Sequence, residues 1–266
     1  VPKGESISYD TTDALPFPVG TILVKNFSYM SSTGSRHLIE TRLLLHRQWG
    51  WDAEVYEWNE DQTEAFRLVE GREKMIDFQQ DGKLRTTRYQ IPNKNQCKTC
   101  HAQGNNVVPI GPKVANLNRS YTYDGVRDNQ LDRWVTAGIL AVPPGNIPRW
   151  PNYSDVSENL TSRARAYLEV NCAHCHRAEG AASNTKLILQ YYNYDSLSYG
   201  FRKRPVAPGA GSGGLTFNIV PGHAEQSILY YRMNSTDVRV RMPELGRNLI
   251  DEEGVALIKE WIDGMD

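Results

Sequence analysis

Two five-residue stretches hold most of the chemistry open to this chain, CKTCH at 97–101 and CAHCH at 172–176. Together they contain all four cysteines, Cys97, Cys100, Cys172 and Cys175, and each pair is followed at once by an imidazole, His101 or His176. At the chain's own residue frequencies the pattern arises by chance about 10⁻³ times per chain, so two copies need a chemical reason. The spacing supplies one. Thiols one helical turn apart reach the two vinyl groups of a single porphyrin as thioethers, and the next residue lies under the ring, where its imidazole binds iron. CxxCH is the attachment motif of c-type haem, so the sequence implies two covalent haems. A disulfide framework, a thiol redox centre and an all-cysteine zinc site are the competing uses of four cysteines. Zinc ribbons space their pairs far more closely than the 71 residues found here between Cys100 and Cys172, and zinc leaves both trailing histidines without a role.

Each iron has a second axial position. For the second haem, RMPELGR at 241–247 offers Met242, which Pro243 biases toward an extended backbone able to present the thioether. Met233 and Met265 compete from helical and terminal settings that suit ordinary packing. No methionine lies between His101 and the linker, which leaves Met30, Met75, His37, His46 and His223 as candidates for the first haem. His37 is preferred because it shares the apolar side of its strand, against the plainer reading of a solvated histidine at a strand end. Lys25, in LVKNF, could also approach the ring, whereas His174 reads as an exposed spacer inside its motif.

The elements that must position these groups differ between the halves. TILVKNFSY at 21–29, HLIETRLLLH at 37–46 and AEVYEW at 53–58 read as strands, with His37, Ile39, Thr41, Leu43 and Leu45 on the better core face of the second. Asp81 and Gly82 mark a hairpin. Residues 109–125 read as loop and 129–140 as a helix. The four prolines of 141–155 mark a linker. Beyond it come a helix capped by Thr161 that runs into the second motif, then helices at 224–233 and 251–263. GAGSGG at 209–214 lacks the Gly-Lys-Ser/Thr continuation of a phosphate loop and reads as flexible. The expected architecture is α+β in two domains. Residues 1–140 would form a mostly antiparallel β haem domain with a trailing helix, and 156–266 an all-α haem domain after the linker at 141–155.

Composition narrows the partners. With 266 residues, 39% apolar, 23% charged and a formal charge of -1, the chain is globular and lacks the basic surface that nucleic acid requires. No run approaches the roughly 20 apolar residues of a membrane span. The first residues, VPKGESISYD, lack the basic and apolar parts of a secretory signal.

The stretches FPVGTILVKNFSY, LIETRLLLHRQWGWDAEVYEWNEDQTEA, IPNKNQCKTCHAQGNNVVPIGPKVANLNR, RARAYLEVNCAHCH and RMPELGRNLIDEEGVALIKEWID resemble a bacterial family of dihaem c-type cytochromes over most of the chain. The amino-terminal part is also similar to the β-rich cytochrome c-prime-beta fold. The carboxy-terminal part is similar to class I cytochromes c, whose motif cysteines, histidine and loop methionine match Cys172, Cys175, His176 and Met242. The resemblance implies electron transfer in the bacterial periplasm or at the cell surface, between redox proteins, with a homo-oligomer or an electron-conducting polymer held open. A dihaem peroxidase or nitrogen-oxide-reacting enzyme, or a sensor of diatomic ligands at an open first haem, are the alternatives.

Overall fold

The computed structural model describes every residue except 32, 33, 81, 144 and 208. Four antiparallel strands, β1 (Ile22–Met30), β2 (Arg36–Arg47), β3 (Gly50–Trp58) and β4 (Ala65–Leu68), form a sheet in sequence order. A separate hairpin of β5 (Arg72–Gln80) and β6 (Lys83–Ile91) packs beside β1. Asp81, half of the expected turn, lies outside the described residues. Gly82 has φ 72°, in the left-handed region that glycine enters at little steric cost.

The buried face of β2 differs from the alternation read in its sequence. A bulge between Phe27 and Ser28 pairs Phe27 with Glu40 and Ser28 with Leu38, leaving Ile39 as the extra residue. Ile39 and Glu40 are consequently both buried, as two consecutive residues at a bulge can be. Leu43, Leu44 and Leu45 are all half-buried, and of the three it is Leu44 that packs against the core of Ile39, Ala53, Val55, Ile91 and Cys97. Glu40, with no exposed surface, accepts from Arg42 Nε at 2.9 Å and from the Tyr89 hydroxyl, which satisfies a charge that would otherwise be costly inside.

Helix α1 (Lys94–His101) begins with a capping box between Asn93 and Gln96. A two-rung hairpin, β7 (Ala102–Gln103) and β8 (Asn106–Val107), follows it directly. The stretch at 109–125, expected as loop, contains α2 (Val114–Leu117) and β9 (Ser120–Tyr123), which pairs with β10 (Val126–Asn129). Its turn is Asp124-Gly125, both at positive φ, a two-residue hairpin signal of the kind also present at Asp81 and Gly82. Asn129 caps α3 (Gln130–Thr136). Residues 141–155 hold no helix or strand among those described, yet Trp150 is buried with Ala115 and Ala166 and donates its backbone N–H to the Ala115 carbonyl at 3.0 Å.

The expectation of an all-α carboxy-terminal domain is overturned. The chain as a whole is mixed and β-rich, and beyond residue 155 helix is a minority. Between α4 (Leu160–Asn171) and α7 (Glu252–Asp263) stand only α5 (Ser196–Tyr199), α6 (Ile228–Met233) and single 3-10 turns among the described residues. Glycines at positive φ, Gly200, Gly213, Gly214 and Gly222, break the path. Isolated bridges Phe201 to Ile219 and Phe217 to Ser227 replace helical hydrogen bonds. At 224–233 the expected helix is interrupted at Ser227, whose hydroxyl accepts from the Val220 N–H and donates to the His223 carbonyl. The cap of α4 is Asn159 rather than Thr161, since its side chain accepts from the Ser162 N–H.

What holds this loop-rich half is the packing of α4 on α7. Tyr167 donates to Asp251 at 2.8 Å, and Asp251 in turn caps α7 through the Gly254 N–H. A Cβ at position 254 would lie 2.2 Å from the Tyr167 hydroxyl oxygen. Gly254→Ala is therefore expected to displace the ring and destabilise the protein by about 2 kcal/mol, read as a lower urea midpoint.

Candidate functional site

The first motif occupies the closing turns of α1. Cys97 is buried against the β2–β3 face, and burial is the main cause that raises its thiol pKa. His101 ends the helix, and the short hairpin after it folds back as a clamp. The Val108 N–H donates to the His101 carbonyl at 2.8 Å, and His101 Nδ1 contacts the Val108 carbonyl at 2.7 Å. A carbonyl only accepts, so Nδ1 carries the proton and Nε2 presents a lone pair. Burial lowers the His101 pKa and keeps the imidazole neutral, and the nearby positive charge of Lys25 acts in the same direction.

The second motif begins where α4 ends, with Cys172 as the helix cap. The N–H groups of Cys175 and His176 both donate to the Cys172 carbonyl, at 3.1 and 3.0 Å. The loop then turns back onto Cys175, whose carbonyl accepts from Ala182 at 3.1 Å. Gly180 fits there because a Cβ would stand 2.3 Å from that carbonyl oxygen. Burial drives the Cys172 thiol up to about 12 and His176 down to about 4, helped for His176 by the Arg232 guanidinium. At neutral pH both motifs thus offer a neutral, partly buried imidazole beside two cysteines free of disulfides.

Met242 is half-buried, and its N–H donates to the Arg232 carbonyl at 3.0 Å. Arg232 bears electrostatically on His176 and Glu244 on Cys175, which sets the Met242 loop in the surroundings of the second motif. Met233 is a core residue and Met265 packs against the same core. The first motif gathers fewer of its candidates. His37 is exposed at the start of β2, 3.5 Å from the Gln62 amide nitrogen, and Met30 and Met75 are exposed as well. His46 contacts the Phe17 carbonyl through Nδ1 at 2.8 Å and stacks on Trp51. It lines an open cleft of about 550 Å³ shared with Asp13, Gln103 and Val108, beside the clamp on His101. His223 begins a 3-10 turn in the carboxy-terminal half.

His174 departs from its expected setting. His174 is a partly buried member of a cluster with Cys100 and Cys175, not an exposed spacer, and the ligand atoms of the three lie within 4.8 Å of one another. Its Nδ1 is buried without a partner. The Cys100 thiol is held below its ordinary range, first by a hydrogen bond from Cys175 and next by one with His174, while donation of that same S–H raises Cys175. The only sequence signal for this contact was a second imidazole inside the motif, and nothing local says what it faces.

Comparison with protein-family models, curated proteins and solved structures finds no match to this chain. No helix among the described residues is long and apolar enough to cross a membrane.

His176 gives a test of the site's electrostatics. Its folded pKa lies near 4 against an ordinary 6.5, so between these values the unfolded chain binds a proton that the folded chain refuses. Stability of the polypeptide with nothing bound at His176 should fall as pH drops through that window. His176→Gln should flatten that part of the urea-midpoint profile.

Proposed function

We propose that this protein is a dihaem c-type cytochrome that carries electrons between redox partners outside the cytoplasm. The observation that carries the reading is that each CxxCH motif joins two disulfide-free cysteines to a partly buried, neutral imidazole. That donor set fits covalent haem: sulfur nucleophiles for two vinyl groups and a nitrogen lone pair for iron. Cys97, Cys100 and His101 would hold one haem, and Cys172, Cys175 and His176 the other, with Met242 as the second axial ligand there. A haem so held supplies reversible one-electron exchange between ferric and ferrous iron.

The chain's own part is to orient and to shield. Val108 fixes the tautomer and plane of the His101 ring, the kind of outer hydrogen bond that sets a ligand's basicity. Burial of Cys97 and Ala173 keeps water from one flank of each motif. Because c-type haem is attached outside the bacterial cytoplasm, the periplasm or cell surface is the compartment, and other redox proteins or further copies of this chain are the partners.

Two other readings each have an observation in their favour. The exposure of His37 favours an open first haem, and with it the peroxidase, nitrogen-oxide or gas-sensing chemistry. The Cys100–His174–Cys175 cluster favours a three-ligand metal centre of the zinc type. That centre would leave Cys97, His101, Cys172 and His176 without a role.

The mass of the exported protein should exceed that of the polypeptide by two haems. A colourless protein containing zinc would overturn the proposal. Met242→Ala should abolish the far-red band of thioether coordination to ferric iron and lower the potential of one haem, and persistence of that band would refute the ligand assignment. Carbon monoxide left unbound by the reduced protein supports the carrier, whereas binding of one equivalent supports the open first site.

A further inference from the structure

The two motifs touch. Cys100 closes the first thiol pair and Cys175 the second, and their sulfurs lie within 4.8 Å of each other with His174 as the third member of the group. The Cys175 sulfur also approaches the Thr99 carbonyl at 3.9 Å. Polar contacts frame this meeting. The Gly104 N–H donates to the Glu179 carbonyl at 2.9 Å, and the Gln103 amide donates to the Glu179 carboxylate at 3.1 Å and to Asp13 at 3.2 Å. Asp13 then pairs with Arg177 at 3.0 Å, and the Arg177 side chain is 7% exposed. The residues just after each motif are thus bonded to one another, with a residue of the amino-terminal segment closing the ring. A chance graze between two loops would not be bonded from both sides.

In a CxxCH motif the second cysteine's sulfur is bonded to the rim of its porphyrin. With thioethers formed at both, two sulfurs within 4.8 Å would bring the two attachment points together. We infer that Cys100, His174 and Cys175 form an internal junction between the two haem sites, across which an electron passes from one iron to the other within a single chain. With both haems held by these residues the exchange would be self-contained: one ferrous iron would be oxidised and one ferric iron reduced by a single electron, with no bond made or proton transferred. This inference rests on the dihaem reading and adds to it. A partner that docks near either motif then has access to both redox centres, and the charge on one centre alters the potential of the other.

The junction also accounts for His174. A ring nitrogen lies within 4.8 Å of both thiols, and Nδ1 is buried and unpaired, in a place where neither motif needs a third nitrogen. It is a positioning residue packed beside both attachment points.

The test uses the holoprotein, with haem content fixed first by intact mass. Low-temperature electron paramagnetic resonance of the fully oxidised protein should show signals broadened by mutual coupling, with double-integrated intensity well below that of two independent ferric ions. Reduction of one centre should restore an ordinary spectrum for the one that remains oxidised. Two sharp, independent signals at full intensity, in a protein whose mass shows both haems, would overturn the junction and leave the dihaem reading standing. A mass lacking the two haems would overturn both, so the two failures are distinguishable.

Discussion

Everything distinctive about this molecule depends on one long closure. The 71 residues between Cys100 and Cys172 must return the chain to its starting point closely enough for Thr99 and Cys175 to touch. Closing a loop of that length costs entropy that grows only slowly with length, so the contact is affordable if the intervening chain packs for its own sake. It does. Val114, Leu131 and Leu140 bury themselves against Ile7, Leu15 and Phe17, and Trp150 anchors the proline-rich stretch on α4.

The join between the halves is polar as well as apolar. Lys113 reaches Glu169 on α4 at 2.7 Å, with side chains only 12% and 4% exposed. Glu169 also accepts from the Tyr191 N–H at 2.7 Å. A buried pair of this kind holds geometry more than it adds stability, because desolvation offsets much of the attraction. At the opposite end, Arg85 and Arg88 on β6 meet Glu252 and Asn248. The β-rich half and the loop-rich half are therefore tied at both ends, and the cysteine motifs lie on one of the shared surfaces.

Local physics explains which parts of this were legible in the sequence. The strands β1 to β3 were readable because β-branched and aromatic residues recur between turn signals, and α7 because Val255, Ile258 and Ile262 repeat on a helical stripe below an acidic cap. The inward face of β2 was not, since a bulge moves one residue out of step and reverses every later assignment along the strand. Three helical segments in the carboxy-terminal half do not set its class. Its fold instead rests on turns, and turns leave only glycines and prolines as their trace. At the site, the two CxxCH motifs could be located from spacing and type alone. Their mutual arrangement could not, because contacts between residues 76 positions apart, such as Gln103 with Glu179, have no local signature.

The ion pair of Asp13 with Arg177 joins positions 164 apart, and both groups border the cysteine cluster. A polypeptide that emerges amino terminus first exposes Asp13 long before its partner exists. The seat around Cys175 can close only after Arg177 has emerged, so Cys97 and Cys100 spend an interval without the cover that the second motif later gives them.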